Sequence, residues 1–419
     1  MVDFLTRDLR ETKRQINMDW NNINWFLILI PVISAFVGWW TNYLAVKMMF
    51  YPIEFVGFKP IFGWQGLIPA KREKMAEISV DLVLGKLLSV EEIVARIEPH
   101  KLTEVIERRL NQVLIRIVND VMEESAPTLW ASLPVQGKDL VYKRIEYDLP
   151  NVVEKMVTDF QQNVSEIIDI KELVIGHLVK EPELINEIFL KSGEKEFPFI
   201  EHSGFYFGFL FGIPTMLFWH FYPLWWILPL GGLLVGYLTN EIALKLIFQP
   251  RNPVKFLGFT FQGMFHKRQK EVSRVYSDII EKKLLSSKNI TNALLHGPGS
   301  SALLELMELN VNDAIDRYIS VAQPYFVLGV GTENYYKMKR LSSKLLFEDS
   351  DKYLGYAHEY TTEALRVADD LREKMEKLSP EEFEGVLRPA YQQDEWKLIL
   401  AGAILGMGAG FMQLYFVFS

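Results

Sequence analysis

Apolar and charged positions fall along this chain in blocks. Three stretches hold no Asp, Glu, Lys or Arg: Trp20 to Val46, Ser203 to Asn240 and Leu398 to Ser419. The first and last are each long enough for one membrane-spanning helix, which needs about 20 apolar residues. The middle block is about twice that length and predicts a hairpin of two spans. It breaks at Tyr222-Pro223, because proline cannot continue the helix ladder. Trp219, Tyr222, Trp225 and Trp226 cluster at the break like an interfacial aromatic belt. Between these blocks the period becomes that of amphipathic helices. Leu102, Val105, Ile106, Leu110, Val113, Leu114, Ile117, Val118 and Val121 recur at helical spacing, a broad amphipathic stripe. Ser89 to Glu92 and Asp169 to Glu172 have the form of capping boxes, and Ser379-Pro380-Glu381-Glu382 opens another helix. Phe55 to Pro69 reads as a Gly/Pro/aromatic loop and Phe326 to Glu333 as a Gly-containing loop. No strand-rich region is expected.

The pattern repeats. GWWTNYLAVKMMFYP, Gly38 to Pro52, returns as GYLTNEIALKLIFQP, Gly236 to Pro250. Gly38, Asn42 and Ala45 share one helix face, as do Gly236, Asn240 and Ala243. A small–polar–small stripe on an apolar helix lets a second backbone approach and hydrogen-bond. Gln65-Gly66 and the basic group Lys71, Arg72, Lys74 follow the first copy. Gln262-Gly263 and Lys267, Arg268, Lys270 follow the second. Gly204, Gly208 and Gly212 form a Gly-x-x-x-Gly-x-x-x-Gly stripe, and Gly402, Gly406 and Gly410 form another. Such stripes assemble helices, either between the two halves of one chain or between the subunits of a homo-oligomer.

The expected fold is therefore all-α: a polytopic membrane protein with an internal duplication, in which span, helical domain, span occurs twice. The layout is an N-terminal tail (1–22), a first span with motif (23–52), a helical domain (53–197), a transmembrane hairpin with the second motif copy (198–250), a second helical domain (251–396) and a last span (397–419). The first apolar run is too long for a signal-peptide core and is expected to stay as a span. Basic residues concentrate on the side of the two helical domains, which places those domains in the cytoplasm by the positive-inside rule.

Composition narrows the function. Hydrophobic residues make up 49% of the 419, rich for a soluble protein and lean for a chain that is all membrane. The net charge of −8 argues against nucleic-acid binding. The sequence contains no cysteine, which excludes disulfides, a thiolate nucleophile and Cys-ligated zinc. No two of the seven histidines share a metal-ligand spacing on one helix, so neither metal nor cofactor is expected.

GWWTNYLAVKMMFYP followed by GWQGLIPAKREKMA resembles the start of the YheB/YjiN-like bacterial membrane proteins, a domain-of-unknown-function family. The closing stretch FEGVLRPAYQQDEWKLILAGAILGMGAGFM, Phe383 to Met412, is similar to that family's C-terminal end, as is the region Phe199 to Gly212. The sequence departs from the family in its strongly aromatic central hairpin. The resemblance implies a bacterial inner-membrane protein, and it carries over no catalytic or binding residue.

The candidate polar sites lie in the repeated motif. Thr41, Asn42, Thr239 and Asn240 are expected to serve helix packing, with a site for lipid headgroups or a small solute as the sharper alternative. Lys47 is placed to snorkel into the headgroups. Glu241 has Lys245 four residues on, the favourable orientation for an ion pair. No catalytic triad or carboxylate pair stands out, and an enzyme is not expected. The leading expectation is a structural or interaction protein presenting cytoplasmic helical domains, with membrane lipids as partners. The alternative is lipid handling or small-solute transport. A fully packed helical domain would favour scaffolding, a continuous apolar groove running from the bilayer into the helical domains lipid handling, and a closed polar cavity around Asn42, Asn240 and Glu241 transport.

Overall fold

The computed structural model describes residues 25–58, 62–256, 258–320, 323–388, 392 and 395–417. The expected tail, residues 1–22, lies outside them. The principal helices are α1 (Leu29–Phe50), α2 (Pro99–Ser125), α3 (Val135–Gln162), α4 (Glu196–Phe221), α5 (Ile227–Phe248), α6 (Ser287–His296), α7 (Ser300–Ile319), α8 (Thr332–Glu348) and α9 (Glu395–Val417). The fold is all-α apart from two short hairpins. In the first, β1 (Val56–Phe58) pairs antiparallel with β2 (Phe62–Trp64). In the second, β3 (Val254–Phe256) pairs antiparallel with β4 (Phe259–Phe261). The first stands where the loop Phe55 to Pro69 was expected, and the second at the start of the expected second helical domain. Gly258, at φ 82°, lies between β3 and β4 and lets the second hairpin reverse sharply, while Gly57, at φ 134°, lies within β1 opposite Gly63. The expected loop at 326–333 is also largely helical: Gln323–Val330 is a helix, and Gly331 at φ 90° joins it to α8.

The chain forms two compact units. Of the described residues, the first collects those within 25–75, Glu181–Val272 and 378–417; the second collects those within Ala76–Lys180 and Ser273–Lys377. They are called here the span unit and the interspan unit. In the span unit, α1, α4, α5 and α9 are each long and apolar enough to cross a membrane. Helix α1 packs along α4, and α5 packs along α9. Three of the four spans end just before a proline: α1 at Tyr51-Pro52, α5 at Gln249-Pro250, and α4 at Tyr222-Pro223.

One core of the interspan unit is drawn from both halves. Leu102, Ile106, Leu110, Val113, Ile117 and Val121 of α2 and Leu149 and Val153 of α3 meet Met307, Tyr335, Met338, Leu346 and Tyr353. The sequence sets out the two interspan stretches separately, 197 or 198 residues apart by repeat register; in the structure they complete one another's apolar faces. The reason is the width of the stripe on α2, which is too broad for one short neighbour to cover. The duplication persists here in detail. Val83–Leu87 and Ile280–Leu284 are both single π-helical turns, and each is followed by a serine N-cap. Ser89 Oγ accepts from the Glu92 amide and Ser286 Oγ from the Asn289 amide.

Candidate functional site

The repeated motif is buried in the span unit. Thr41, Asn42, Thr239 and Asn240 are each no more than 3% exposed. Asn42 Nδ2 donates to the Ile200 carbonyl at 2.7 Å, and Asn240 Nδ2 donates to the Leu398 carbonyl at 3.2 Å. The two bonds occupy the same place in the two halves, each joining a motif helix to the start of its glycine-striped partner. The copies also meet each other, since Thr239 Oγ1 donates to Asn42 Oδ1 at 3.3 Å. Thr41 Oγ1 donates to the Gly38 carbonyl one turn back.

The glycines set how close these helices come. A Cβ placed on Gly38 would lie 2.2 Å from the Gly204 carbonyl oxygen, and one on Gly236 would lie 2.1 Å from that of Gly402. Gly208 and Gly212 face Ser34 and Pro31 of α1, while Gly406 and Gly410 face Gly232 and Leu228 of α5. Both stripes are therefore used within one chain. Lys47 lies over the Tyr43 and Tyr51 rings at 5.7 and 5.4 Å, and Lys245 Nζ lies 2.7 Å from Glu241 Oε1. The motif thus forms a packed hydrogen-bonded knot.

Two charged clusters sit beside the spans. Glu384 is almost fully buried; it accepts from Arg251 Nε at 2.7 Å and also pairs with Arg388. Burial alone would raise its carboxyl, but the hydrogen bonds from Arg251 and Arg388 outweigh it and hold the carboxyl below its ordinary value. Arg388 forks onto both oxygens of Glu395 at 3.0 and 3.2 Å and stacks over the Phe248 ring. His266 lies beside Glu384 and is pushed below its ordinary value, chiefly by burial. As a neutral ring it donates from Nε2 to the Phe248 carbonyl at 3.1 Å, and its buried Nδ1 has no partner among the described residues. The last carbonyl of α1, at Phe50, is capped instead by Asn186 Nδ2 at 2.7 Å. In the second cluster Arg268 joins buried Glu196 to Glu271. Hydrogen bonds from Arg268 and Lys195 hold the Glu271 carboxyl down to about 2. The local pairs Glu384–Arg388 and Arg268–Glu271 sit at helical spacing in the sequence, whereas Arg251–Glu384, Glu196–Arg268 and Lys195–Glu271 join distant segments and had no sequence signal.

The interspan unit contains a different feature, an apolar cavity of about 320 Å³. Its wall combines one face of α2 (Leu102, Ile106, Leu110, Leu114, Ile117) with α3, α6 and α7. Its polar wall positions are few, among them Ser287, Thr291, Tyr318, Ser342 and Thr361. Most spend their hydrogen bonds on the protein: Ser342 donates to the Met338 carbonyl and Thr361 to the Ala357 carbonyl. Ser287 Oγ lies 3.1 Å from His358 Nδ1 and also contacts Thr361. Interiors of packed proteins hold few voids larger than a water molecule, and a lining that faces empty space forfeits its dispersion contacts. A volume of this size falls in the range of small-molecule sites, about 300–1,000 Å³. The periodic α2 residues were the sequence trace of this wall; that they line a cavity was not visible. Among the described residues, no group of His, Asp and Glu is arranged to hold a metal ion.

Fold and site together define a duplicated all-α protein with four membrane-length helices and a cavity-bearing interspan unit. A family model described as a protein of unknown function, DUF445, matches residues 32–131, which carry the first motif and α2. Among similar curated proteins is a UPF0754 membrane protein of Rippkaea orientalis, 26% identical over 154 residues, covering 35% of this chain and 35% of that protein. A UPF0754 membrane protein of Listeria welshimeri is 28% identical over 160 residues, covering 38% of this chain and 41% of its own length. One from Microcystis aeruginosa is 37% identical over 71 residues, covering 16% and 17%. The chain thus matches well under half the length of each of these relatives. No solved structure matches it.

Proposed function

We propose that this chain is an integral membrane protein that holds the apolar chain of a lipid in its interspan unit. The observation that carries the reading is the aliphatic cavity of about 320 Å³, built jointly by the two halves. A packed scaffold has no use for such a void, whereas an acyl chain would restore the contacts that its walls lack. The Asn42–Thr239 pair is buried and hydrogen-bonded, and the space beside Thr41, walled by Phe36, Val37, Trp39, Trp40, Leu405 and Ala409, is an open apolar recess with no polar group for a solute among the described residues, so the lipid reading is preferred to transport through the motif. Support for the membrane setting comes from the four apolar helices and from the names of the similar proteins. The bias of Lys and Arg toward the interspan stretches supports a cytoplasmic interspan unit at a bacterial inner membrane. The structural or interaction reading keeps the same anchor and asks only for a solid helical core. Neither reading invokes a catalytic step.

Cavity-filling substitutions test the proposal. Ala314 lines the cavity and is 5% exposed. In a full core, Ala314→Phe would overpack and cost about 1–3 kcal/mol. In a lipid-holding cavity it should leave the melting temperature unchanged or raised, while the lipid that co-purifies in native mass spectra falls. A lowered melting temperature with no bound lipid in the parent protein would refute the reading and return the scaffold to first place.

A further inference from the structure

We infer that the two β-hairpins are membrane-interface anchors, with exposed aromatic and aliphatic side chains seated at the headgroup–acyl boundary of the bilayer. The inference rests on the membrane setting proposed above and is independent of the cavity.

Position comes first. Helix α1 ends at Phe50 and β1 begins at Val56; α5 ends at Phe248 and β3 begins at Val254. Each hairpin therefore leaves a membrane-length helix within a few residues. Each is also clamped back onto the end of that helix. The Gly66 amide donates to the Pro52 carbonyl at 2.9 Å, and the Gly263 amide donates to the Pro250 carbonyl at 2.9 Å. Gln65 Nε2 reaches the Ile53 carbonyl, and Gln262 Nε2 reaches the Arg251 carbonyl. A Cβ on Gly66 would lie 2.7 Å from the Phe50 carbonyl carbon, so the returning strand presses on the last turn of the span. The base of each hairpin is thus held at the span terminus. A three-residue strand extends only about 10 Å, comparable to the depth of the interfacial layer.

Chemistry comes second. Phe58 is 85% exposed, Val56 63% and Val254 50%. Exposed apolar side chains this prominent are unexpected on a surface that faces only water, and here they recur at the same place in both halves. Exposed Lys255 lies among them, and Lys47 sits over the Tyr43 and Tyr51 rings at the mouth of the first hairpin. Aromatic and basic side chains together are what the membrane–water interface selects. The occupant of these surfaces is therefore lipid, continuous with the lipid around the spans.

The absence of cysteine makes the test direct. Four single-cysteine proteins, Phe58→Cys, Val254→Cys, Ile404→Cys and Tyr147→Cys, are labelled with an environment-sensitive fluorophore and placed in phosphatidylcholine–phosphatidylglycerol vesicles. Nitroxide-labelled lipids quench at shallow or deep positions. Ile404 is 55% exposed in the middle of α9 and should be quenched most by the deep nitroxide. Tyr147, 77% exposed on α3, should be quenched by neither. Labels at positions 58 and 254 should show blue-shifted emission and be quenched most by the shallow nitroxide. If both behave like the Tyr147 label while Ile404 is quenched, the hairpins face water and the inference fails with the membrane setting intact. If Ile404 is not quenched either, the membrane setting fails and the inference with it. Labels at 58 and 254 that escape lipid quenching but transfer energy between copies would assign the hairpins to self-association and overturn the inference. Quenching of Tyr147 equal to that of position 58 would do the same, by removing any distinction between the hairpin and the rest of the surface.

Discussion

Removal of the Asn42 amide is the sharpest perturbation of the span unit. Asn42 makes two hydrogen bonds, donating to the Ile200 carbonyl at 2.7 Å and accepting from Thr239 at 3.3 Å. Its counterpart Asn240 donates to the Leu398 carbonyl at 3.2 Å. Side-chain hydrogen bonds between membrane helices average about 0.6 kcal/mol and reach about 1.7. Asn42→Ala should therefore cost about 1–3 kcal/mol, and Asn240→Ala about half as much. Thr239→Val removes only the longer of the two Asn42 bonds and should cost about 0.5–1 kcal/mol. Because Asn42 and Thr239 share that bond, the double mutant should fall short of additivity by about 0.5 kcal/mol or more, beyond the scatter of about 0.3–0.5 seen for independent sites. Reversible unfolding in mixed micelles, titrated with a denaturing detergent, measures all four corners of the cycle. An Asn240→Ala loss larger than that of Asn42→Ala, or strict additivity of the Asn42 and Thr239 changes, would refute the reading of the motif as a knot joining the two halves.

Three further outcomes are expected. Gly406→Ala should destabilise by about 1–3 kcal/mol, because its Cβ would lie 2.2 Å from the Gly232 carbonyl oxygen, whereas Gly408→Ala, with open space at that position, should be neutral; equal melting temperatures would contradict the close approach. Acidification should weaken the fold in two stages. His266 is held neutral below its ordinary value of about 6.5, so its contribution is complete above that pH and is lost as pH falls through the folded value. Glu384 and Glu271 are depressed, so theirs is complete above about pH 4.3 and is lost on further acidification. Melting temperature against pH should therefore slope below about pH 6.5, and His266→Gln should flatten the upper part of that slope; an unchanged slope in the variant would count against the assignment. Cysteines at Tyr147 and Leu309, 77% and 66% exposed, should resist an impermeant thiol reagent in sealed cells and react once the membrane is opened; labelling in sealed cells would reverse the proposed orientation.

The sequence by itself determined the local periodicities. Absence of charge over about 20 residues is enough to mark a membrane-length helix, and each charge-free block contains such helices in the structure. Prolines marked where three of the four helices stop, since a residue without an amide cannot continue the ladder there, although α4 and α3 also accommodate Pro214 and Pro150 within them. The duplication was legible for the same reason: both copies of Gly-x-x-Thr-Asn lie in continuous sequence.

Tertiary structure decided what depends on residues far apart. The Thr239–Asn42 bond spans 197 residues, and the Glu384 cluster draws on three separate segments. No periodicity encodes which carbonyl a buried amide will reach. The short hairpins were hidden because three-residue strands carry too few positions to show an alternation. The common core of the interspan unit was hidden because an apolar stripe specifies that it must be covered, not by which half. The cavity was the least legible feature. It is a volume that neither half fills, and only the packing of α2, α3, α6 and α7 around it reveals the space that remains.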